Sequence, residues 1–250
     1  LTDGLSRPVG KAILPRGFGS AVSFSTDGSR LAVLWRREPF FEHPSELYVW
    51  DATSGKEVAR LVALAAGQSI GRFALNADGS RFVGLTWPAM GSPLDGPSTL
   101  VIWETATGQV FVNRPSENGD WPAFSPDGRR IVLVEASPLG TEDRVTILDA
   151  ATGRPTVSRK VRKGILSRAD RIVFSRDGRC LAIYSLLEQA TVTIWDTDAL
   201  INQEAAEPVA ALVGHGNVIT RVEFGPDGRR VLTSGGDAAS SGTPRRGGNS

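Results

Sequence analysis

Phe124-Ser125-Pro126-Asp127-Gly128 is one of five versions of a single stretch. The others are Phe24-Ser25-Thr26-Asp27-Gly28, Leu75-Asn76-Ala77-Asp78-Gly79, Phe174-Ser175-Arg176-Asp177-Gly178 and Phe224-Gly225-Pro226-Asp227-Gly228. Their aspartates lie 51, 49, 50 and 50 residues apart. A fixed period of that size marks a chain built from repeated supersecondary units. Asp-Gly tolerates positive φ at little cost, as a tight turn between antiparallel strands requires. Apolar residues alternate ahead of each turn, as Val22/Phe24, Phe73/Leu75, Pro122/Phe124, Ile172/Phe174 and Val222/Phe224. Period two puts each pair on one face of a strand. A second strand-like run follows each turn, at Arg30–Leu34, Arg81–Leu85, Arg130–Val134, Cys180–Tyr184 and Arg230–Thr233.

A third run follows in four copies: Leu47–Trp50, Leu100–Trp103, Val145–Leu148 and Val192–Trp195. Apolar residues fall on both of its faces, so it reads as a strand buried between neighbouring sheets. Each copy ends in an acid, Asp51, Glu104, Asp149 or Asp196, and three then turn on Gly55, Gly108 or Gly153. A fourth strand runs through Glu57–Leu61, Gln109–Asn113, Pro155–Val161 and Pro208–Leu212. Four short antiparallel strands per period, with no helical periodicity, make a propeller blade. The expected fold is all-β: a β-propeller of four-stranded antiparallel blades, about four complete and a fifth incomplete.

Trp50-Asp51 and Trp195-Asp196 resemble the Trp-Asp signature of WD-repeat propellers, and Trp103 keeps the Trp of that pair. Gly214-His215, nine residues before Phe224, resembles that family's Gly-His element. Phe-Ser-Pro-Asp-Gly followed by a basic residue is similar to the family's bacterial branch. The resemblance covers nearly the whole chain and implies a non-enzymatic protein-interaction scaffold. It gives structural roles to Asp27, Gly28, Trp50, Asp51, Asp78, Gly79, Trp103, Asp127, Gly128, Asp177, Gly178, Trp195, Asp196, His215, Asp227 and Gly228. For the family's buried His, Ser or Thr, Asp and Trp network, only the last repeat offers candidates: His215, Ser234 and Asp237, without a Trp.

The expected organisation is a propeller over residues 1–237, in units of about 1–51, 52–104, 105–149, 150–196 and 197–237. Residues 238–250, rich in Ser, Gly, Pro and Arg, read as a flexible tail that leaves the fifth unit without its third strand. Leu1-Thr2-Asp3-Gly4 aligns with the turn after a third strand, and the only methionine is Met90. The chain therefore reads as a piece of a larger propeller, an arc of a ring of six to eight blades.

Composition narrows the function. The 250 residues are 40% hydrophobic and 22% charged, which excludes wholesale disorder. A net charge of +1 does not point to nucleic acid. The longest near-apolar stretch, Val58 to Ala66, falls short of a membrane span. One cysteine, Cys180, excludes an internal disulfide and a Cys-rich metal site and fits a cytoplasmic location, and equally a disulfide-free exported protein. Two histidines, His43 and His215, are thin material for acid–base or metal work. No phosphate loop or calcium loop occurs, so no catalytic residues, no metal and no cofactor are expected.

Binding surfaces remain. The loops at Arg36–Glu46, Pro88–Ser98 and Ala136–Arg144 are long, and long loops on a rigid scaffold commonly carry function. Arg36, Arg37, Phe40, Phe41 and His43 in the first, with Trp87 and Met90 at the second, are of the types that anchor protein interfaces. Against this, Phe40 and Phe41 could pack locally on the blade rim. Arg159, Lys160, Arg162 and Lys163 form the one basic run, which reads either as protection of an exposed strand edge or as a dock for an acidic partner or a nucleic-acid backbone. The leading expectation is a scaffold for protein partners. The alternatives are a regulatory or sensory propeller in a larger protein such as a bacterial Ser/Thr kinase, or the non-catalytic propeller of a prolyl-oligopeptidase-like hydrolase.

Overall fold

The structure is a computed structural model that describes residues 17–37, 45–62, 68–88, 98–116, 121–135, 142–162, 166, 171–185, 191–203, 207–236 and 239–242. The chain divides into two compact units, Leu1–Ser116 and Glu117–Ser250.

In the first unit, sheet I consists of β1 (Gly17–Phe24), β2 (Arg30–Arg37), β3 (Glu46–Asp51) and β4 (Glu57–Val62). Sheet II consists of β5 (Gln68–Leu75), β6 (Arg81–Pro88), β7 (Ser98–Glu104) and β8 (Val110–Ser116). In the second unit, sheet III holds β9 (Trp121–Phe124), β10 (Arg130–Glu135), β11 (Glu142–Asp149) and β12 (Pro155–Arg162). Sheet IV holds β13 (Arg171–Phe174), β14 (Cys180–Tyr184), β15 (Val192–Asp196) and, after helix α1 (Thr197–Asn202), β16 (Ala210–Leu212). Sheet V holds β17 (Ile219–Phe224), β18 (Val231–Gly235) and β19 (Ala239–Gly242). Strands are antiparallel and pair in chain order in every sheet.

Two expectations need correction. The fifth repeat does have a third strand: β19 pairs Leu232 with Ser241 and Thr233 with Ser240, inside the stretch read as a tail. Ala-Ser-Ser-Gly carries no apolar alternation, yet ladder bonds need only the main chain. The second correction is α1, where no helix was expected. Asp196 caps it by accepting from the Ala199 N–H at 3.0 Å. Asp198-Ala199-Leu200 replaces the Thr-Gly of the other repeats there, so the chain winds one turn where they reverse on glycine.

A single packing rule emerges from strand registry. One face of each sheet carries the residue before the Asp-Gly turn, a Phe or Leu75, and in sheets I to IV the Trp or Leu148 before the acid, and we call it the aromatic face. In sheets I to IV the other carries a double row of aliphatics. In the first unit, the aliphatic face of sheet I (Ala32, Leu34, Leu47, Val49, Leu61) meets the aromatic face of sheet II (Leu75, Phe82, Val101, Trp103). In the second unit, Val132, Val134, Val145 and Ile147 of sheet III meet Leu181, Ile183 and Trp195 of sheet IV. Ala182, Tyr184, Val192 and Ile194 of sheet IV then meet Val222 and Val231 of sheet V. Each sheet thus turns its aromatic face to its predecessor wherever these pairs are seen.

The Asp-Gly connections span five residues, six between β17 and β18, and their aspartates serve as acceptors. The Ser175 hydroxyl donates to Asp177 Oδ1 (2.7 Å) and accepts from the Cys180 N–H (2.9 Å), while Asp177 Oδ1 accepts from the Arg179 N–H (3.1 Å). Ser25 and Ser125 repeat this arrangement. Asn76 substitutes by accepting from the Arg81 N–H through its amide oxygen. The following glycines, 28, 79, 128, 178 and 228, all have φ between 66° and 73°, the left-handed region that glycine occupies freely. Ser175 is fully buried, so Ser175→Ala is expected to cost about 1–3 kcal/mol by orphaning the Cys180 amide. Urea unfolding followed by circular dichroism measures it, and a loss below about 0.5 kcal/mol would contradict this role for the hydroxyl.

The same bonds make the turns acid-sensitive. The Ser25 hydroxyl, then the Ser29 amide, hold Asp27 below the ordinary 3.8. The Ser80 hydroxyl does so for Asp78, the Ser175 hydroxyl for Asp177, the Arg229 amide for Asp227 and the Ser54 amide for Asp51. At Asp127 burial pushes upward, and the Ser125 hydroxyl and Arg129 amide outweigh it. A folded pKa below the unfolded one stabilises above the unfolded value and loses that contribution as pH falls through the folded value. The urea midpoint is therefore expected to hold from pH 7 to about 5 and to fall steadily below about 4. A midpoint that rises on acidification below pH 4 would refute this origin.

Candidate partner-binding face

The two ends of each sheet differ. At the Asp-Gly end, side chains close every described turn. Asp51 Oδ1 accepts from the amides of Thr53 (3.1 Å) and Ser54 (2.8 Å), and Asp149 does the same with Ala151 and Thr152. The two turns of a sheet are tied by one equivalent bond: Ala52 N–H to Ser29 O, Thr105 to Ser80, Ala150 to Arg129, and Thr197 to Arg179. Arg30 pairs with Asp51 beside the first of these. The carboxylates of this end are therefore engaged in holding turns. Among the described residues no group of three or more His, Cys, Asp or Glu could hold a metal ion.

The opposite end carries the long β2–β3, β6–β7 and β10–β11 connections. Phe40, Phe41, His43 and Met90 lie outside the described residues. Arg36 and Arg37 end β2, and Trp87 lies one residue before the end of β6. At the root of the first loop the structure shows a network that the sequence reading missed. Glu46, buried, accepts from the Tyr48 hydroxyl at 2.7 Å and from Arg60 at 2.6 Å. The Arg60 guanidinium lies 5.2 Å from the centre of the Tyr48 ring, which stacks on Trp50 at 5.6 Å. The hydrogen bond to Glu46 raises the pKa of Arg60, so its guanidinium stays charged. The one available signal was a Glu two residues before a Tyr in a strand otherwise buried.

The basic run is divided by its strand. Arg159 lies opposite Val145 on the aliphatic face of sheet III and donates to the Ile201 carbonyl at 2.8 Å, near the end of α1. Lys160, opposite Arg144, lies on the other face with Arg162, and Lys163 is outside the described residues. Period two thus separates charges that are neighbours in sequence. Arg171, which flanks the run in sequence, sits 4.1 Å from the centre of the Trp121 ring.

His215 Nε2 is 2.8 Å from the Thr233 hydroxyl. The partner implied by the resemblance was Ser234, but strand alternation puts Thr233 on the aromatic face with Val231 and turns Ser234 away. Asp237 lies outside the described residues. In sheet IV the Trp195 indole N–H donates to the Thr193 hydroxyl at 2.9 Å, satisfying a fully buried Trp without a histidine.

Solved structures of the same architecture extend these observations. The β-propeller domain of Myceliophteria thermophila Cps50 (Swd1) superposes with a TM-score of 0.58 at 13% identity, covering 89% of this chain and 64% of that one. The Dos1 propeller gives 0.59 at 15%, covering 89% and 53%. The fold is a β-propeller. A eukaryotic initiation factor aligns at 0.50 and 16%, covering 85% of this chain and 47% of that one. This propeller chain spans less than two thirds of each of these structures. No family model matches it, and no curated protein does. No helix of the described residues is long and apolar enough to cross a membrane.

Proposed function

We propose that the chain is a non-enzymatic interaction module, a WD-repeat-like propeller that presents the loop end of its sheets to a protein partner. The observation that carries this reading is the contrast between sheet ends. Side-chain hydrogen bonds engage the turn carboxylates of the Asp-Gly end, whereas the long connections at 38–45, 89–97 and 136–141 join strands at the other end, and long loops on a scaffold commonly carry function. Arg36, Arg37, Phe40, Phe41, His43, Trp87 and Met90 are assigned to the contact surface, with Arg and aromatic side chains as its anchors. The Glu46–Tyr48–Arg60 network supports the role by fixing the strand from which the first loop leaves.

Affinity capture from the source cell with the wild-type chain, repeated with Arg36, Phe40 and Phe41 changed to Ala, tests this. At least one specifically retained protein should be lost, with a drop in affinity of about tenfold or more, as truncating hot-spot residues produces. Identical partners retained with unchanged affinity would remove the face from consideration. The basic run is a weaker dock, because Arg159 is committed to Ile201.

A further inference from the structure

We infer that the face of sheet I bearing Val22 and Phe24 is a docking face for a further antiparallel sheet of the same repeat type, one not among these five. The interior pairs set the expectation. Sheets II, IV and V each bring their aromatic face against the aliphatic double row of the sheet before. Sheet I has the same aromatic face: Val22 and Phe24 in β1, Val33 and Leu31 opposite them in β2, then Tyr48 and Trp50 in β3.

No described residue covers its first-strand side. Val22 is 63% and Phe24 60% exposed, while Leu75, the counterpart of Phe24 in sheet II, is 5% and Val222, the counterpart of Val22 in sheet V, is 3%. Tyr48 and Trp50 are already buried, so the open area is the half formed by β1 and β2. Two large apolar side chains side by side on a strand face, each more than half exposed, are the mark of an interaction site.

A second observation, independent of apolar burial, points to the same occupant. Wherever turns of successive sheets meet, the glycine of one sits against the turn before. A Cβ on Gly79 would meet Arg30 Cβ at 2.5 Å and Ser25 Cβ at 3.4 Å. On Gly178 it would meet Pro126 Cδ at 3.4 Å, and on Gly228, Asp177 Oδ1 at 3.3 Å and Ser175 Cβ at 3.5 Å. The Asp27 N–H also donates to Ala77 O at 2.9 Å, joining the turns of sheets I and II. Gly28 has the same φ and nothing within 4 Å. The turn is thus shaped for a preceding turn and meets none among the described residues, directly beside the exposed Phe24.

The chemistry of the occupant follows from the interior pairs: an aliphatic double row such as Val83, Leu85, Leu100 and Ile102, followed by an Asp-Gly-type turn to lie on Gly28. In a second copy of this chain that row of sheet II is already buried, with Val83, Leu85, Leu100 and Ile102 all at 0% exposure. The side of sheet V turned away from sheet IV carries Arg221, Glu223, Leu232 and Ser234, with Arg221 paired to Glu223. Docking that surface on Phe24 would bury charges against an apolar strand.

The test uses the 250-residue chain and a tandem form in which residues 64–116 are repeated ahead of Leu1, so that the added copy of sheet II is the probe. In the 250-residue chain, 8-anilinonaphthalene-1-sulfonate should bind, and Val22→Ser with Phe24→Ser should cut its fluorescence at least twofold without moving the urea midpoint. Unchanged fluorescence overturns the proposal. In the tandem chain, hydroxyl-radical labelling of Phe24 should fall severalfold, and Val22→Asp should restore it. Equal Phe24 labelling in both chains overturns the proposal. So does a 250-residue chain that sediments as a dimer and is dissociated by Phe24→Asp, since a second copy would then own the face.

Discussion

Trp103→Ala is expected to cost about 3–5 kcal/mol, the largest loss from any single truncation in the first unit. Trp103 is 1% exposed and stands on the aromatic face of sheet II. Its ring meets Phe82 at 5.0 Å, and Phe82 meets Phe73 at 5.3 Å, so three rings form one wall against the aliphatics of sheet I. Gly84 completes the fit, because a Cβ there would lie 2.9 Å from Phe82 Cε1 and 3.1 Å from Trp103 Cζ3. Truncating the indole removes the transfer free energy of a large side chain and leaves a cavity whose walls are strands that cannot collapse inward. Urea unfolding followed by far-ultraviolet circular dichroism gives the magnitude, since the variant loses a fluorophore. Hydrogen exchange should place the loss in β1–β8. A cost under about 1 kcal/mol would mean that sheets I and II do not share this core. Trp103→Phe should recover more than half of the loss, being the smaller change in volume.

That interface also shows which parts of the architecture could be read from residues alone. The spacing of the Asp-Gly pairs located the first hairpin of every sheet, because period and turn chemistry are local properties. Face assignment also followed from alternation: Leu47/Val49 and Trp50 do fall on opposite sides of β3. What the sequence could not give was which face meets which neighbour, since Val, Leu and Trp satisfy either partner. Strand β19 escaped because a four-residue run of Ala, Ser and Gly has no apolar signature, while a ladder needs only backbone donors and acceptors.

The candidate site was legible to a smaller degree. Charge runs were read as patches, yet the strand places Arg159 and Lys160 on opposite faces. The Glu46–Tyr48–Arg60 network depends on a cross-strand pairing of Tyr48 with Arg60, 12 residues away, which no local pattern announces. Repeated residues were easier to find than to interpret. The turn aspartates were visible as markers of hairpins, but their role as acceptors for Ser hydroxyls and following amides needed coordinates.

Gly79→Ala and Gly28→Ala form a matched pair whose difference measures contact between turns. Both glycines are left-handed, with φ of 68° and 73°, so an alanine pays about 1–2 kcal/mol of backbone strain at either position. Only at position 79 does the new methyl also run into the neighbouring turn. It would lie 2.3 Å from Arg30 Cγ and 2.5 Å from Arg30 Cβ. The Cβ is fixed to the backbone at the start of β2, so a rotamer change cannot clear it. Either β2 shifts or the turn of sheet II lifts away, breaking the Asp27 N–H bond to Ala77 O. Gly79→Ala is therefore expected to cost about 3–5 kcal/mol, adding an overpacking cost of about 1–3 kcal/mol and a lost hydrogen bond to the strain. Gly28→Ala should cost only the strain. Both are read from urea midpoints at constant slope, and equal losses would show that turns of sheets I and II do not touch in solution. The same comparison bears on the open face of sheet I. When a further sheet is docked there, as in the tandem chain, Gly28→Ala should become as costly as Gly79→Ala, because its methyl would then meet a preceding turn.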